Sequence, residues 1–493
     1  MLAYFCRKMK LSFGFAVLFF CFSSFGQCRF FATRLFTDPL KHKICSSALL
    51  EDSKEFYEKL QQTHPDLYRF VSPKQLDSSF LNLINICSKD LTLMEYVIVL
   101  NQFVQQLKDS HTFVSARDLL SYKPLSNYYV PFFIQQTEQK WYITSSWKNV
   151  LPKGEQLLAI NTVPLSVFHD LAQALSPRES CADSAFTLIS DHLMCLVGNL
   201  STPQKALDVK VFNGTDTITR EVVRPKRSKT IRQTIFEING AEVEYMRSKS
   251  SAVLTISSFS PKSISRFKKK LEGVFRQITQ DSVKNLVLDL RSNTGGFILL
   301  QEYLMSFLVP KNTIYTSQYV YKRSPYDRFS QLSKWKKRQF IKTALRFYPE
   351  GSISREYDFY KKPMGTMDTI NNSLALKNAK DLVFLGNCDL LVNELSMSAS
   401  ANFTAWFLET KRGGVYGAPP SGTTAGTFAN PYTFYLTNTG LPVSVSTMKI
   451  NLLTPTEKET PLMPTSILYP TFQDIKQGTD PVLQEVLKKQ NDE

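Results

Sequence analysis

Three kinds of hydrophobic patterning succeed one another along the chain. Over residues 48–108 apolar positions recur at i, i+3 and i+4, most clearly in 76–86 and 91–107, which predicts helices. Asp52 and Ser53 read as caps before the first of them, and His64-Pro65 breaks it. Over residues 127–225 the period shortens to two in the runs YYVPFFI, KWYITSSW, LDVKVF and ITREVV, which predict strands; residues 176–200 read as a helical insertion among them. A basic, proline-containing linker follows at 225–229. From about residue 235 strand and helix alternate. AVLTISSF is a strand, 263–278 an amphipathic helix, VKNLVLDL a strand, 297–309 a helix, DLVFLG and DLLVN short strands, and 401–410 a helix ending at Lys411-Arg412-Gly413-Gly414. Such alternation predicts a sheet covered by helices. The expected fold is therefore α/β and multidomain: an N-terminal helical domain over 48–120, a β-rich module over 127–225, and an α/β domain over 235–487 with a mixed sheet.

A chain of 493 residues exceeds one ordinary core, consistent with that division. With 43% hydrophobic residues and no internal repeat or low-complexity tract, it reads as globular throughout. The N-terminus adds a targeting expectation. Arg7, Lys8 and Lys10 precede an apolar run over 11–22, and Ser24 and Gly26 supply small residues for cleavage. That run of about 12 residues is short of the roughly 20 that span a bilayer. Residues 1–26 are expected to be a signal peptide, which places the mature protein in a bacterial periplasm or outside the cell. Of eight cysteines, Cys6 and Cys21 leave with the signal, and Cys181 with Cys195 form a local candidate pair, buried free thiols being the other reading. The chain has five histidines and no CxxC, so neither a metal nor a cofactor is expected. The net charge of +16 is uneven: residues 319–365 hold 12 Lys/Arg against 4 Asp/Glu. In an exported chain this reads as a solvated basic face, with an anionic envelope surface as the next partner class and no nucleic acid.

Three short segments carry candidate chemistry. DLRSNTGG, residues 289–296, follows a buried strand, and its glycines let backbone N–H groups approach a ligand closely. SMSAS, residues 396–400, stands between a strand and a helix, where a serine is exposed beside the free N–H groups and dipole of a helix start. A nucleophile next to preorganised donors is what acyl transfer requires. KDSHT, residues 108–112, ends the long helix of the first domain and offers His111, which titrates near neutrality unaided. Asp109 and Ser110 can orient its ring or cap the helix.

Within the β-rich stretch, LPKGEQLLAINTVPL resembles the PDZ family's "GD-x-I-x-x-ING" segment at Gly154, Ile160 and Asn161. The module at 127–225 is thus expected to be PDZ-like, with an insertion. Taken in order, DSHT, this module, DLRSNTGG, SMSASA, GAPPSG at 417–422 and ETPLMPT at 459–465 resemble the tail-specific, or C-terminal processing, serine peptidases. The likeness is nearer to their tricorn-like branch and spans roughly residues 50–487. The resemblance implies an endopeptidase acting on unfolded or extended polypeptides, with Ser398 as nucleophile. It also implies an oxyanion hole of the Ala399 amide with that of Gly295 or Gly296. The processing branch's lysine base falls on Thr423, which cannot serve. The tricorn-like branch takes a histidine from the DGHT-like turn, here His111, supported by Ser110 and a late glutamate, Glu459 or its rival Glu457. Three positions depart from the family pattern: Ala401 for a glutamate, Gly417-Ala418-Pro419 for Gly-Glu-Thr, and Pro464-Thr465 for Pro-Asp. These departures motivate a second reading, a non-catalytic binding protein on a degenerate peptidase scaffold.

Overall fold

The computed structural model describes residues 42–115, 128, 130–137, 139–179, 205–226, 243–248, 251–326, 333, 335, 339, 361–378, 382–452 and 459–492. The expected signal peptide, the Cys181–Cys195 pair, Glu457 and most of the basic stretch at 327–360 lie outside these residues.

The first unit is helical as expected, with helices at Ser46–Thr63, Pro73–Ile86 and Leu93–Gln105. Two of them start on capping boxes, Ser72 with Gln75 and Thr92 with Glu95, each satisfying two otherwise orphaned N–H groups. The expectation that Asp52 and Ser53 cap the first helix is wrong, since that helix begins about two turns earlier, after Cys45. Both side chains are instead fully buried inside it. Asp52 accepts hydrogen bonds from the amides of Asn438 and Thr439, at 2.8 Å each, and from Thr439 Oγ1 at 2.6 Å. It thereby holds the turn of the hairpin Tyr432–Tyr435/Pro442–Val445 against the helix. Phe434, Leu441, Val443 and Val445 of that hairpin share one apolar core with the helices and with the β-rich module.

The module is an antiparallel sheet in the order Phe132–Thr137, Lys140–Ser146, Gln156–Ile160, Ala206–Phe212, Thr217–Val223, with the short strand Val163–Pro164 paired to Gln156–Ile160. Asn161 and Thr162 both take positive φ in the tight turn joining the last two, where a primed hairpin turn demands it. The helix Leu165–Leu175 packs against Leu93–Gln105, and Gln105 Nε2 donates to the carbonyls of Gln173, Ala174 and Ser176 at its end, at 2.8, 3.2 and 2.8 Å.

The third unit is a six-stranded mixed sheet in the order Val243–Ser248, Ser251–Ile256, Asn285–Asp289, Asn387–Val392, Val415–Gly417, Ser466–Ile467. Only the first pairing is antiparallel. Every residue of Asn285–Asp289 is buried, the pattern expected of a parallel strand covered on both faces. The helix Ile264–Gln280 buries Phe267, Leu271, Val274, Phe275 and Ile278 on one stripe, and Ser263 caps it. Contrary to expectation, DLVFLG forms no strand over its described residues, Leu382–Gly386. Arg412 accounts for the local hydrogen bonding there: its guanidinium donates to the carbonyls of Phe384 and Gly386, at 2.8 and 2.9 Å. A separate four-stranded antiparallel sheet, Met367–Ala375, Ile314–Lys322, Met448–Leu452 and Gly426–Ala429, stands beside the mixed one.

Asp52→Ala leaves the buried amide and hydroxyl of Thr439 and the half-buried amide of Asn438 without an acceptor. We expect a loss of about 2–4 kcal/mol of stability in urea unfolding, with the m-value unchanged.

Candidate active site

The central strands Asn285–Asp289 and Asn387–Val392 run parallel and in register, Asp289 beside Leu391. Their carboxyl ends therefore release DLRSNTGG and NELSMS side by side, at the edge where open α/β sheets commonly bind ligands. Three hydrogen bonds lock the loops together: Ser292 N to Asn393 Oδ1 (2.8 Å), Met397 N to Asn293 O (3.1 Å) and Leu290 N to Leu391 O (3.0 Å). Asn293, fully buried, donates to Ile256 O and accepts from the Gly295 amide, at 2.9 Å each. Arg291 bridges Asp289 and Asp480, so this acid and base brace the turn, as their position at a strand end suggests.

The three serines of SMSAS separate cleanly. Ser396 is buried, its hydroxyl donating to Leu290 O and accepting from Asn393 N. Ser400 is buried inside the helix Ala399–Glu409. Ser398 alone lines a cavity of about 510 Å³. It occupies the N-cap of that helix at φ 51°, ψ −120°, and its side chain makes no capping bond. Such backbone costs a non-glycine residue on the order of 1–3 kcal/mol and persists where the surroundings enforce it. Gly295 sits against it at φ +91°; a Cβ there would lie 2.8 Å from Ser398 Cβ and 2.9 Å from the Ala399 nitrogen. Of the two candidate glycine donors, Gly295 has its N–H committed to Asn293. No acceptor among the described residues takes the N–H of Gly296 or of Ala399.

His111 lines the same cavity. It does not end the helix as expected: the helix stops at Gln105, and the histidine lies on the turn leading into the strand Phe113–Val114. Asn101, buried in that helix, clamps the strand by accepting from Val114 N and donating to Val114 O, both at 3.0 Å. Both side-chain contacts of the His111 ring are made by Nδ1, to Ser110 Oγ at 3.4 Å and to Asp109 Oδ1 at 3.6 Å. Ser398 Oγ and the ring share the cavity without a hydrogen bond, as is common before substrate draws such pairs together.

Asp109 is wholly buried. It accepts from the His111 amide (2.9 Å), from Thr112 and Ser446 hydroxyls (2.6 Å each) and from His64 Nε2 (3.2 Å). Burial works to raise its carboxyl, but the bonds and charges of His111 and His64 hold it well below the usual carboxylate range. Burial likewise opposes a charged His111, yet the neighbouring Asp109 carboxylate, 3.6 Å from Nδ1, with the charge of Glu179, raises the ring above its ordinary value.

Glu459 is placed elsewhere. Its carboxylate pairs with Arg69, accepting from Nη2 at 2.5 Å and from Nε at 3.0 Å, and Arg69 also reaches Thr423 Oγ1 at 3.3 Å. An arginine holds the neighbourhood of Thr423, and a guanidinium cannot act as a base. The acid at Ser110 is Glu179, which accepts from the Ser110 amide at 2.9 Å and from its hydroxyl. Glu179 had no sequence signal, lying at the mouth of the expected insertion, 69 residues from its partner. Ligand atoms of Asp109, His111 and Glu179 fall within 4.8 Å of one another, a set able in type and spacing to hold a metal ion. The two carboxylates nevertheless accept from amide and hydroxyl donors, Asp109 from His111 N, Thr112 Oγ1 and Ser446 Oγ, and Glu179 from Ser110 N and its hydroxyl. The family departures are absorbed by packing: Ala401 is buried against Gly422, where a Cβ would come within 2.7 Å of its own, and Thr465 Oγ1 accepts from Val415 N at 3.1 Å.

Gly295→Ala is expected to push the Ser398 turn out of place. Reaction with a fluorophosphonate should slow at least tenfold while the protein stays folded by circular dichroism, the signature of a local clash.

No curated protein matches the chain in sequence. Among solved structures, mature CPAF is 14% identical, with a TM-score of 0.58 over 90% of this chain and 96% of its own. Mature CPAF complexed with lactacystin is 12% identical, with a TM-score of 0.59 over 90% and 97%. At such identity the likeness is one of fold. Residues 250–457, which contain both central strands and the loops they release, match the model of peptidase family S41, and that match marks the protein as a serine-type peptidase.

Proposed function

We propose that the protein is an exported serine endopeptidase that cleaves extended polypeptides through an acyl-enzyme, with Ser398 as nucleophile and His111 as general base. The observation that carries this reading is the single cavity into which Ser398, His111 and the Gly296 turn all open. Ser398 Oγ attacks the peptide carbonyl carbon as its proton passes to His111 Nε2, the nitrogen left over once Nδ1 is held by its neighbours. The Gly296 and Ala399 N–H groups stabilise the oxyanion, aided by the helix dipole. Collapse breaks the C–N bond, the amine leaves with the proton from His111, and water then resolves the ester by the same route.

The β-rich module is assigned a PDZ-like role in recruiting extended chain by strand addition. Phe297, Ile298, Tyr321, Met448 and Ile450 give the cavity an apolar wall, suited to an apolar substrate side chain. The apolar N-terminal run supports export to the periplasm or cell surface, and the basic stretch at 319–365 supports peripheral contact with an anionic envelope. Cys45 is exposed and free and Cys87 and Cys388 are buried and free, so none of these three contributes a disulfide.

The experiment compares wild type with Ser398→Ala and His111→Ala on an unfolded protein substrate and on a fluorophosphonate probe. Each variant should lose at least about 10³-fold in kcat/KM, and labelling should vanish in Ser398→Ala. Equal cleavage by all three would refute the assignment. Protein that never labels yet binds peptide would instead establish the non-catalytic scaffold.

The base must be neutral to accept a proton, and its neighbours favour the charged ring. Activity should therefore fall on the acid side with a midpoint above the ordinary histidine value of about 6.5, measured as kcat/KM against pH.

A further inference from the structure

We propose that Glu179 is a positioning residue for the reaction, acting on His111 through Ser110, so that the β-rich module supplies part of the catalytic machinery. The inference rests on the assignment of His111 as general base.

Glu179 is buried, yet it follows the helix Leu165–Leu175 of the module rather than any element of the peptidase sheet. Its delivery is mechanical. Gln105, the last residue of the helix before the KDSHT turn, ties down three carbonyls at the end of Leu165–Leu175. Ser176 adds a bond from its hydroxyl to Ala172 O at 2.8 Å. One helix end thus sets both the start of the His111 turn and the start of the segment that carries Glu179. Glu179 Oε2 then receives both the amide and the hydroxyl of Ser110. Because the hydroxyl has a single proton and gives it to Glu179, it presents a lone pair to His111 Nδ1, 3.4 Å away. A lone pair there favours the tautomer with a proton on Nδ1 and leaves Nε2 unprotonated, as a base facing the nucleophile requires.

The charged groups facing the ring are Asp109 and Glu179, with His64 behind Asp109. Two carboxylates around one imidazole cannot both stay ionised cheaply. Burial, with the Asp109 charge, pushes the Glu179 carboxyl up to about 7, against the opposing pull of His111 and Ser110. Asp109 holds the permanent charge, and Glu179 is the member that responds as the ring gains a proton.

The test uses the mature full-length protein with Glu179→Gln, Ser110→Ala and the double variant. A glutamine keeps the shape and an acceptor but not the charge. We expect kcat to fall roughly 10- to 100-fold with KM changed by less than about threefold, and the acid limb of kcat/KM to move to lower pH. The double variant should be no worse than the poorer single one, since both act through one contact. Independently of turnover, the His111 ring can be titrated by NMR in the Ser398→Ala background, its signal identified by its loss in His111→Gln. Glu179→Gln should lower that midpoint, which a merely structural role would not do if the thermal midpoint is retained. Wild-type protein that labels with fluorophosphonate no faster than Glu179→Gln, with an unmoved His111 midpoint, would overturn this proposal alone. Wild type that neither labels nor cleaves would remove the catalytic reading and this inference with it.

Discussion

The parallel pairing of Asn285–Asp289 with Asn387–Val392 is the constraint on which the candidate site depends. Both strands are almost wholly buried, so their register is set by the packing of Leu286, Leu288, Leu390 and Val392 into one core. A slip of one residue would turn those side chains to the opposite face. With the register fixed, the two loops leave the sheet at the same height and must interlock. Asn293 and Asn393 provide the cross-links, and the Ser398 turn is pressed so closely on residue 295 that only a glycine fits. The strained backbone at Ser398 is thus sustained by a core many residues deep.

A second constraint is electrostatic. Asp109 carries its carboxylate into the interior, where an ion without partners would be prohibitive. Its partners come from separate parts of the chain: His64 from the end of the first helix, Thr112 and His111 from its own turn, Ser446 from beyond the C-terminal hairpin. Solvating that one charge with protein groups pulls the helical unit onto the sheet that walls the cavity. Glu179 adds the β-rich module to the same junction. The histidine therefore sits where three stretches of chain converge, and its ring charge reports on all of them.

The elements were largely legible because their causes are local. Helical periodicity over 76–86 and 91–107, alternation in the β-rich runs and the buried character of NLVLD each come from neighbours within a few residues. Misreadings came where a distant group decided the outcome. Asp52 looks like a cap by residue type, but the 437–440 turn requires its carboxylate inside the helix. DLVFLG looks like a strand by composition, but its carbonyls go to Arg412.

The same division governs the site. The sequence by itself determined the order of the motifs, the family they indicate, and the residues able to attack, to take a proton and to approach closely: Ser398, His111 and the Gly295-Gly296 pair. Those are properties of residue type and of a strand end or helix start. Which carboxylates serve the histidine was decided only by tertiary structure. Glu459, the acid the motif order suggests, is drawn off by Arg69, while Glu179 arrives from a part of the chain without a motif. The physical reason is that a buried charge goes to whichever donors the fold brings within about 3 Å, and that distance is set by packing between elements far apart in the chain.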